Sequence, residues 1–261
     1  MQVGNPFLDH PFRRYGYAWE WLSPRTGAHL EVGIKTGHFI DGLARTTALD
    51  CTAVDPNIEY VEALSRSSPE IAALRIGIDC ELPFADATFS SASILDTLEH
   101  APDEQRMLNE LARVLRPGGM LIVTVPARHA FSFLDPDNAK YRHPTLHRLV
   151  WATRFGRENY RRRFLDTAND LVGDMSVGKD RHSNFSPGEL ATMLGAAGLL
   201  VVDLTGANLF WRWFQVPGLL VPAPARGWFD RAILADGRRF NGDPGVGLLR
   251  RANLYAAAVR P

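Results

Sequence analysis

One stretch constrains this chain more than any other: His29-Leu-Glu-Val-Gly-Ile-Lys-Thr-Gly-His-Phe39. A short apolar run ends in Glu31, a glycine-bearing turn follows, and Phe39-Ile-Asp-Gly-Leu-Ala-Arg45 resumes with helical spacing. That is the order strand, tight turn, helix start. A glycine turn lets a ligand approach the backbone where a side chain would block it. It also aims the free N–H groups of a helix N-terminus at that ligand.

The same order recurs downstream. Cys51-Thr-Ala-Val-Asp55 reads as a second strand ending in a carboxylate. Asp55 falls about 20 residues beyond the turn, the spacing of an acid that grips ribose hydroxyls in a doubly wound nucleotide site. A third strand, Leu74-Arg-Ile-Gly77, precedes Asp79 and Leu82-Pro-Phe-Ala-Asp86. A fourth, Phe89 to Leu95, runs into Asp96-Thr-Leu-Glu-His100, and Met120 to Pro126 reads as a fifth. Helical patterns over Thr36–Ala48, Asn57–Ser67 and Asp103–Leu115 separate them, the last stopped by Pro117-Gly118. Strand–helix alternation implies a parallel sheet with helices on both faces. Glu31, Asp55, Asp79 and Asp96 then share one rim, at the carboxyl ends of the strands, where such sheets bind ligands.

With these motifs in hand, the chain resembles the class I S-adenosylmethionine-dependent methyltransferases. It is similar to the large group whose fourth strand ends in Leu-Glu-His and whose next helix ends in Arg-Val-Leu-(Arg/Lys)-Pro-Gly-Gly. Here those tracts are Leu98-Glu-His100 and Arg113-Val-Leu-Arg-Pro-Gly-Gly119. The resemblance covers residues 28 to 126 motif by motif and 183 to 205 more loosely. It implies an α/β, doubly wound Rossmann-like fold: a seven-stranded, mostly parallel sheet with an antiparallel edge hairpin, formed by 199–205 and 252–259, and an inserted lid. It implies S-adenosylmethionine as cofactor, with Glu31, Gly33 and Gly37 near its methionine part. Asp55, followed by Pro56, would accept from both ribose hydroxyls, Asp79 with the backbone of Cys80 would meet the adenine edge, and Leu95 and Asp96 would close the strand-four side. Lys35 stands where the family carries a middle glycine. Lysine fits if the backbone there avoids positive φ and the side chain points outward, or it could reach the cofactor carboxylate.

The remaining segments organise around this core as one 261-residue domain: an aromatic N-terminal cap (1–27), the cofactor half (28–126), an inserted lid (127–185), and the end of the sheet (186–261) with an irregular excursion at 206–251. The cap, Phe12 to Leu22, is expected to hold a helix packing beside the first strand, covering the cofactor or burying one aromatic face. The lid is rich in Arg, His and aromatics and is expected to contain helices near 144–155 and 164–172. Ser186 and Glu189 have the spacing of a capping box.

Lys+Arg and Asp+Glu both number 29, which disfavours nucleic acid as a partner. Cys51 and Cys80 form no disulfide framework or metal cluster and are expected to pack in the core. The opening residues lack a basic-then-apolar leader and no run of 18 apolar residues occurs, so the expected compartment is the cytoplasm. Leu209 to Pro222 could touch a membrane surface, form a buried clamp, or make a homodimer contact.

Methyl transfer is an in-line displacement that needs positioning, water exclusion and often a base. His100, at the strand-four rim, and His182, at the end of the lid, are the candidates for that base. His143 and His147 have an i, i+4 spacing without a third ligand, and Asp135 with Asp137 could bind a divalent ion together with a sugar diol only weakly, so no metal site is expected. The reading is methylation of a small polar acceptor at oxygen: a sugar, glycan precursor or secondary metabolite, glycosylated or anionic. Arginines recognise phosphate and carboxylate, and aromatics stack on sugar faces. The alternatives are an inactive methyltransferase-like scaffold, which Lys35 keeps open, and a nicotinamide-dependent oxidoreductase, which would lack its Gly-x-Gly-x-x-Gly triplet.

Overall fold

The computed structural model describes residues 4–8, 10, 13–128, 140–164, 182–207, 221, 227–229, 231–232, 235 and 252–261. Seven strands form a single sheet: β1 (Thr26–Val32), β2 (Ala48–Asp55), β3 (Ala72–Arg75), β4 (Phe89–Leu95), β5 (Leu115–Pro126), β6 (Leu200–Ala207) and β7 (Asn253–Val259). Their order across the sheet is β3-β2-β1-β4-β5-β7-β6. The first five run parallel, and β7 inserts antiparallel between β5 and β6. The expected antiparallel end of the sheet is therefore present, with β6 at the edge.

Alternation along the central strands separates two cores. Leu121, Val123 and Val125 of β5 face one side, where α4 (Glu104–Val114) packs Met107, Leu108 and Leu111, and the helix Pro187–Ala196 packs Leu190 and Leu194. Met120 and Ile122 face the other side, against α1 (Arg13–Leu22), α2 (His38–Thr46) and α3 (Ile58–Ser67). Each of these fully buried aliphatic side chains contributes about 1.5–3 kcal/mol. Ala256, Ala257 and Ala258 of β7 are fully buried, so this strand fits between two neighbours with little side-chain bulk.

Three helices start where a side chain provides an acceptor for their free N–H groups. Asn57 caps α3 by accepting from Glu59 N, Asp103 caps α4 by accepting from Arg106 N, and Ser186 with Glu189 completes the expected capping box. Helix α4 ends at Val114, one residue earlier than expected, and Leu115 is already extended; the Pro-Gly-Gly tract lies within β5, where Gly118 N donates to Arg260 O at 2.7 Å. Arg113 holds this corner by donating to Leu82 O, Phe84 O, Asp86 and Glu110.

Other boundaries also moved. Helix α2 is shorter than Thr36–Ala48 because β2 begins at Ala48, paired with Thr26 of β1. Strand β3 lies two residues earlier than expected, paired with Thr52–Asp55. Helix α1 makes its main contacts with β4, β5 and β7 instead of lying beside β1. The segment 127–185 contains α5 (Pro144–Phe155), as expected, and α6 (Arg157–Phe164) among its described residues. The expected helix beyond 164, Asp135 and Asp137, and most of Leu209–Pro222 lie outside the described residues. Cys51 and Cys80 are both buried and free. No described helix is long and apolar enough to cross a membrane.

Candidate functional site

The turn after β1 is built from backbone that demands glycine. Gly33 has φ 97°, and a Cβ there would lie 2.3 Å from Thr97 Oγ1. Gly37, at φ 70°, is the N-cap of α2, and its N–H donates to Ile34 O at 2.8 Å. The carboxylate at the end of β2 braces this turn. Asp55 Oδ2 accepts from Ile34 N at 2.8 Å and Lys35 N at 3.4 Å, and Oδ1 accepts from Asn57 N at 2.8 Å. A carboxylate offers about four lone-pair sites, so these three bonds leave acceptor capacity. Burial pushes the Asp55 carboxyl up, while the three backbone N–H groups and Lys35 act in the opposite direction.

Lys35 departs from the first of its two expected arrangements, a backbone without positive φ and an outward side chain. Its backbone has φ 51°, inside the left-handed region, and its side chain turns inward. The ammonium donates to Leu95 O at 3.2 Å and also to Asp96 O. Lys35 therefore links the β1 turn to the end of β4 across the rim.

Beneath it lies Glu31, 3 % exposed, whose Oε2 is buried with no hydrogen-bond partner among the described residues. Burial raises its carboxyl well above the usual range, and the charges of Lys35 and Arg14 offset this only in part. A buried acceptor oxygen without a donor costs about 1–3 kcal/mol.

Asp96 closes the opposite side. It has φ 45°, accepts from Thr124 Oγ1 at 2.7 Å, and pairs with Arg14 Nη1 at 2.5 Å. This ion pair ties α1 to the rim, and Tyr17 OH, which donates to Asp203 at 2.8 Å, ties the same helix to the edge strand β6. Neither contact is visible in sequence spacing, since 82 residues separate Arg14 from Asp96. Asp79 is exposed in the loop after β3, and Cys80 beside it is buried with φ 65°. Pro56 is buried, and its carbonyl accepts from Arg75 Nε at 3.2 Å. A cavity of about 610 Å³ opens beside the same turn, lined by Tyr15, Thr36, Gly37, His38 and Arg45 among others. It does not include Asp55, Asp79 or Asp96.

The two candidate bases come together although they are 82 residues apart in sequence. The rings of His100 and His182 lie 4.9 Å apart, centre to centre. His182 is buried, and the segment that carries it is anchored to β5 by Phe185 N donating to Pro126 O at 3.0 Å. Glu99, missed by sequence reasoning, completes a group of three: its Oε1 lies 3.9 Å from His100 Nε2. His143 is exposed, and His147 instead faces Tyr160.

Part of the chain is similar to known proteins. Residues 30–123 match the family described as "Methyltransferase domain". A Mycobacterium tuberculosis (strain ATCC 25618 / H37Rv) protein, named a probable S-adenosylmethionine-dependent methyltransferase, is 33 % identical over 123 residues, covering 46 % of this chain and 44 % of its own length. The ubiquinone biosynthesis O-methyltransferase of Paracidovorax citrulli is 27 % identical over 118 residues, covering 43 % and 50 %. Geranyl diphosphate methyltransferase, solved in complex with S-adenosylmethionine, shares the fold: TM-score 0.55, 12 % identity, covering 95 % of this chain and 84 % of that one. Over residues 30–123 the chain is thus similar to a methyltransferase domain, and both of these curated relatives are methyltransferases by name. It spans about half the length of the curated relatives it matches.

Proposed function

We propose that this protein transfers a methyl group from S-adenosylmethionine to an oxygen of a small polar acceptor, in the class of sugars, glycan precursors and secondary metabolites. The observation that carries the cofactor assignment is the buried, unpartnered Glu31 Oε2 at the foot of the glycine turn. An amino-acid ammonium fits that oxygen, and the turn from Gly33 to Gly37 leaves backbone room for the group attached to it. Asp55 and Pro56 take the ribose side, Asp79 and Cys80 the adenine side, and Leu95 and Asp96 the strand-four side. Lys35 sits among these groups and either yields to the cofactor or contacts its carboxylate.

The bound sulfonium supplies an activated methyl group; the chain supplies alignment, exclusion of water and a proton acceptor. Arg14 and α1 cover the rim beside Asp96. His100 and His182 are the candidates to take the acceptor's proton, since an imidazole titrates near neutrality. The O-methyltransferase name of one relative agrees with attack by oxygen.

The test is transfer of a radiolabelled methyl group to a panel of phenols, sugars and carboxylates by the purified protein. Labelled product with one acceptor class supports the reading. Cofactor binding with no product from any class favours a second one, a binding or scaffold protein, for which the specific observation is the Lys35 ammonium resting on the rim carbonyls.

A further inference from the structure

Glu99, His100 and His182 offer one carboxylate oxygen and two imidazole nitrogens that all lie within 4.8 Å of one another. They come from two separate parts of the chain: the single turn Leu98–His100 that follows β4, and the segment that leads into the helix Pro187–Ala196. Three features fix this meeting. Phe185 pairs with Ala127 at the end of β5, Arg128 N donates to Phe185 O at 2.7 Å, and Ser183 Oγ donates to Glu104 Oε1 at 2.5 Å in the first turn of α4. Glu99 and His182 are only 3 % and 5 % exposed, so neither side chain is a solvated surface group.

We propose that Glu99, His100 and His182 form a binding site for one divalent transition-metal ion. The donor chemistry selects the class of ion: imidazole nitrogen suits zinc, iron, cobalt and nickel, whereas magnesium and calcium prefer all-oxygen sets. Donors about 2.0–2.2 Å from a tetrahedral ion stand roughly 3.4 Å apart, so closure requires shifts on the order of 1 Å, within reach of side-chain rotation. Three protein ligands leave positions open, as in sites that bind a substrate oxygen. The group follows directly on Leu95 and Asp96, so the open positions belong to the rim where the acceptor is proposed to bind. Under this assignment the two imidazoles hold the ion and do not serve as proton acceptors.

The inference stands apart from the methyl-transfer reading, because it is tested without cofactor or acceptor. Tag-free, chelator-treated protein is titrated at pH 7.5 with cobalt(II), read by visible absorption, and with zinc(II), read by calorimetry. The expected result is one equivalent of each, zinc displacing cobalt, and an affinity weakened at least about 100-fold in Glu99→Gln and in His182→Gln. His147→Gln, outside the group, is expected to bind as the parent does. Circular dichroism establishes that each variant is folded; should His182→Gln not fold, His100→Gln takes its place. No binding by the folded parent overturns the proposal. So does binding that Glu99→Gln and the histidine variants leave unchanged, and so does a nuclear magnetic resonance titration showing an imidazolium at His100 or His182 that added zinc does not alter.

Discussion

Replacing Lys35 with glycine is expected to tighten S-adenosylmethionine binding while lowering the stability of the free protein. The side chain is held by two effects of opposite sign. A non-glycine residue at φ 51° costs about 1–2 kcal/mol in left-handed backbone, which glycine adopts freely at a flexibility cost of about 0.5–1 kcal/mol. Against this, the ammonium donates to Leu95 O and Asp96 O, and hydrogen bonds to a charged group contribute about 1.5–3 kcal/mol. The free variant is therefore expected to lose about 1–3 kcal/mol in urea denaturation. On the proposed reading, a cofactor ammonium between Glu31 and the end of β4 would take the space that Lys35 fills, so the lysine would first have to leave its carbonyls. Removing that cost predicts binding about 10- to 100-fold tighter, at 1.4 kcal/mol per decade. Calorimetric titration of both proteins at matched salt decides. An unchanged affinity refutes the competition; a weaker one means that Lys35 holds the cofactor carboxylate instead.

Three further outcomes follow from the geometry. Gly33→Ala places a Cβ 2.3 Å from Thr97 Oγ1 at φ 97°, and is expected to cost about 3 kcal/mol or more in urea denaturation; a loss below about 1 kcal/mol would contradict the close approach. His29, fully buried between Ser91 Oγ and Ser93 Oγ at 2.9 and 3.1 Å, has its pKa lowered to about 3 by burial. The unfolded chain binds this proton below about pH 6.5 and the folded chain does not, so stability falls as the pH drops from 6.5 towards 3, by on the order of 3 kcal/mol at pH 4.5. A His29→Gln variant should lack that part of the acid sensitivity; equal pH slopes for the two proteins would remove His29 as its source. Asp96→Asn removes the charge that faces the Arg14 guanidinium and is expected to cost about 3 kcal/mol, read as a shift of the thermal midpoint; an unchanged midpoint would show that this charge does not hold α1.

Much of this fold was legible because hydrophobic period and turn residues agree along 28–126. All seven expected strands are present, with β3 two residues earlier than its pattern suggests, and Asp55 ends β2, where it braces the glycine turn. The tract that made the resemblance most specific turns out to be partly architectural. Arg113 reaches two backbone carbonyls and two carboxylates, which fixes α4 against the loop after β3. Boundaries were less legible because pairing, not local pattern, sets them: β2 starts at Ala48 only because Thr26 is there to pair with it. The side chain of Lys35 was misjudged because its partners are main-chain carbonyls, which carry no residue identity. Glu99 was overlooked for a similar reason. Its neighbour His100 is in the motif, but the group of three exists only once Phe185 docks on β5 and brings His182 across the sheet.

The central claim is that Glu31 provides the buried anion for the cofactor's ammonium, and Glu31→Gln tests it directly. The variant keeps the shape and, with no hydrogen bond to Glu31 Oε2 to lose, is expected to be at least as stable as the parent in urea. Calorimetric titration with S-adenosylmethionine is then expected to show binding by the parent and an affinity about 10- to 100-fold weaker in the variant, the loss of one charge-assisted hydrogen bond of about 1.5–3 kcal/mol. Equal affinities, or no binding by folded parent and folded Lys35→Gly alike, would contradict the account.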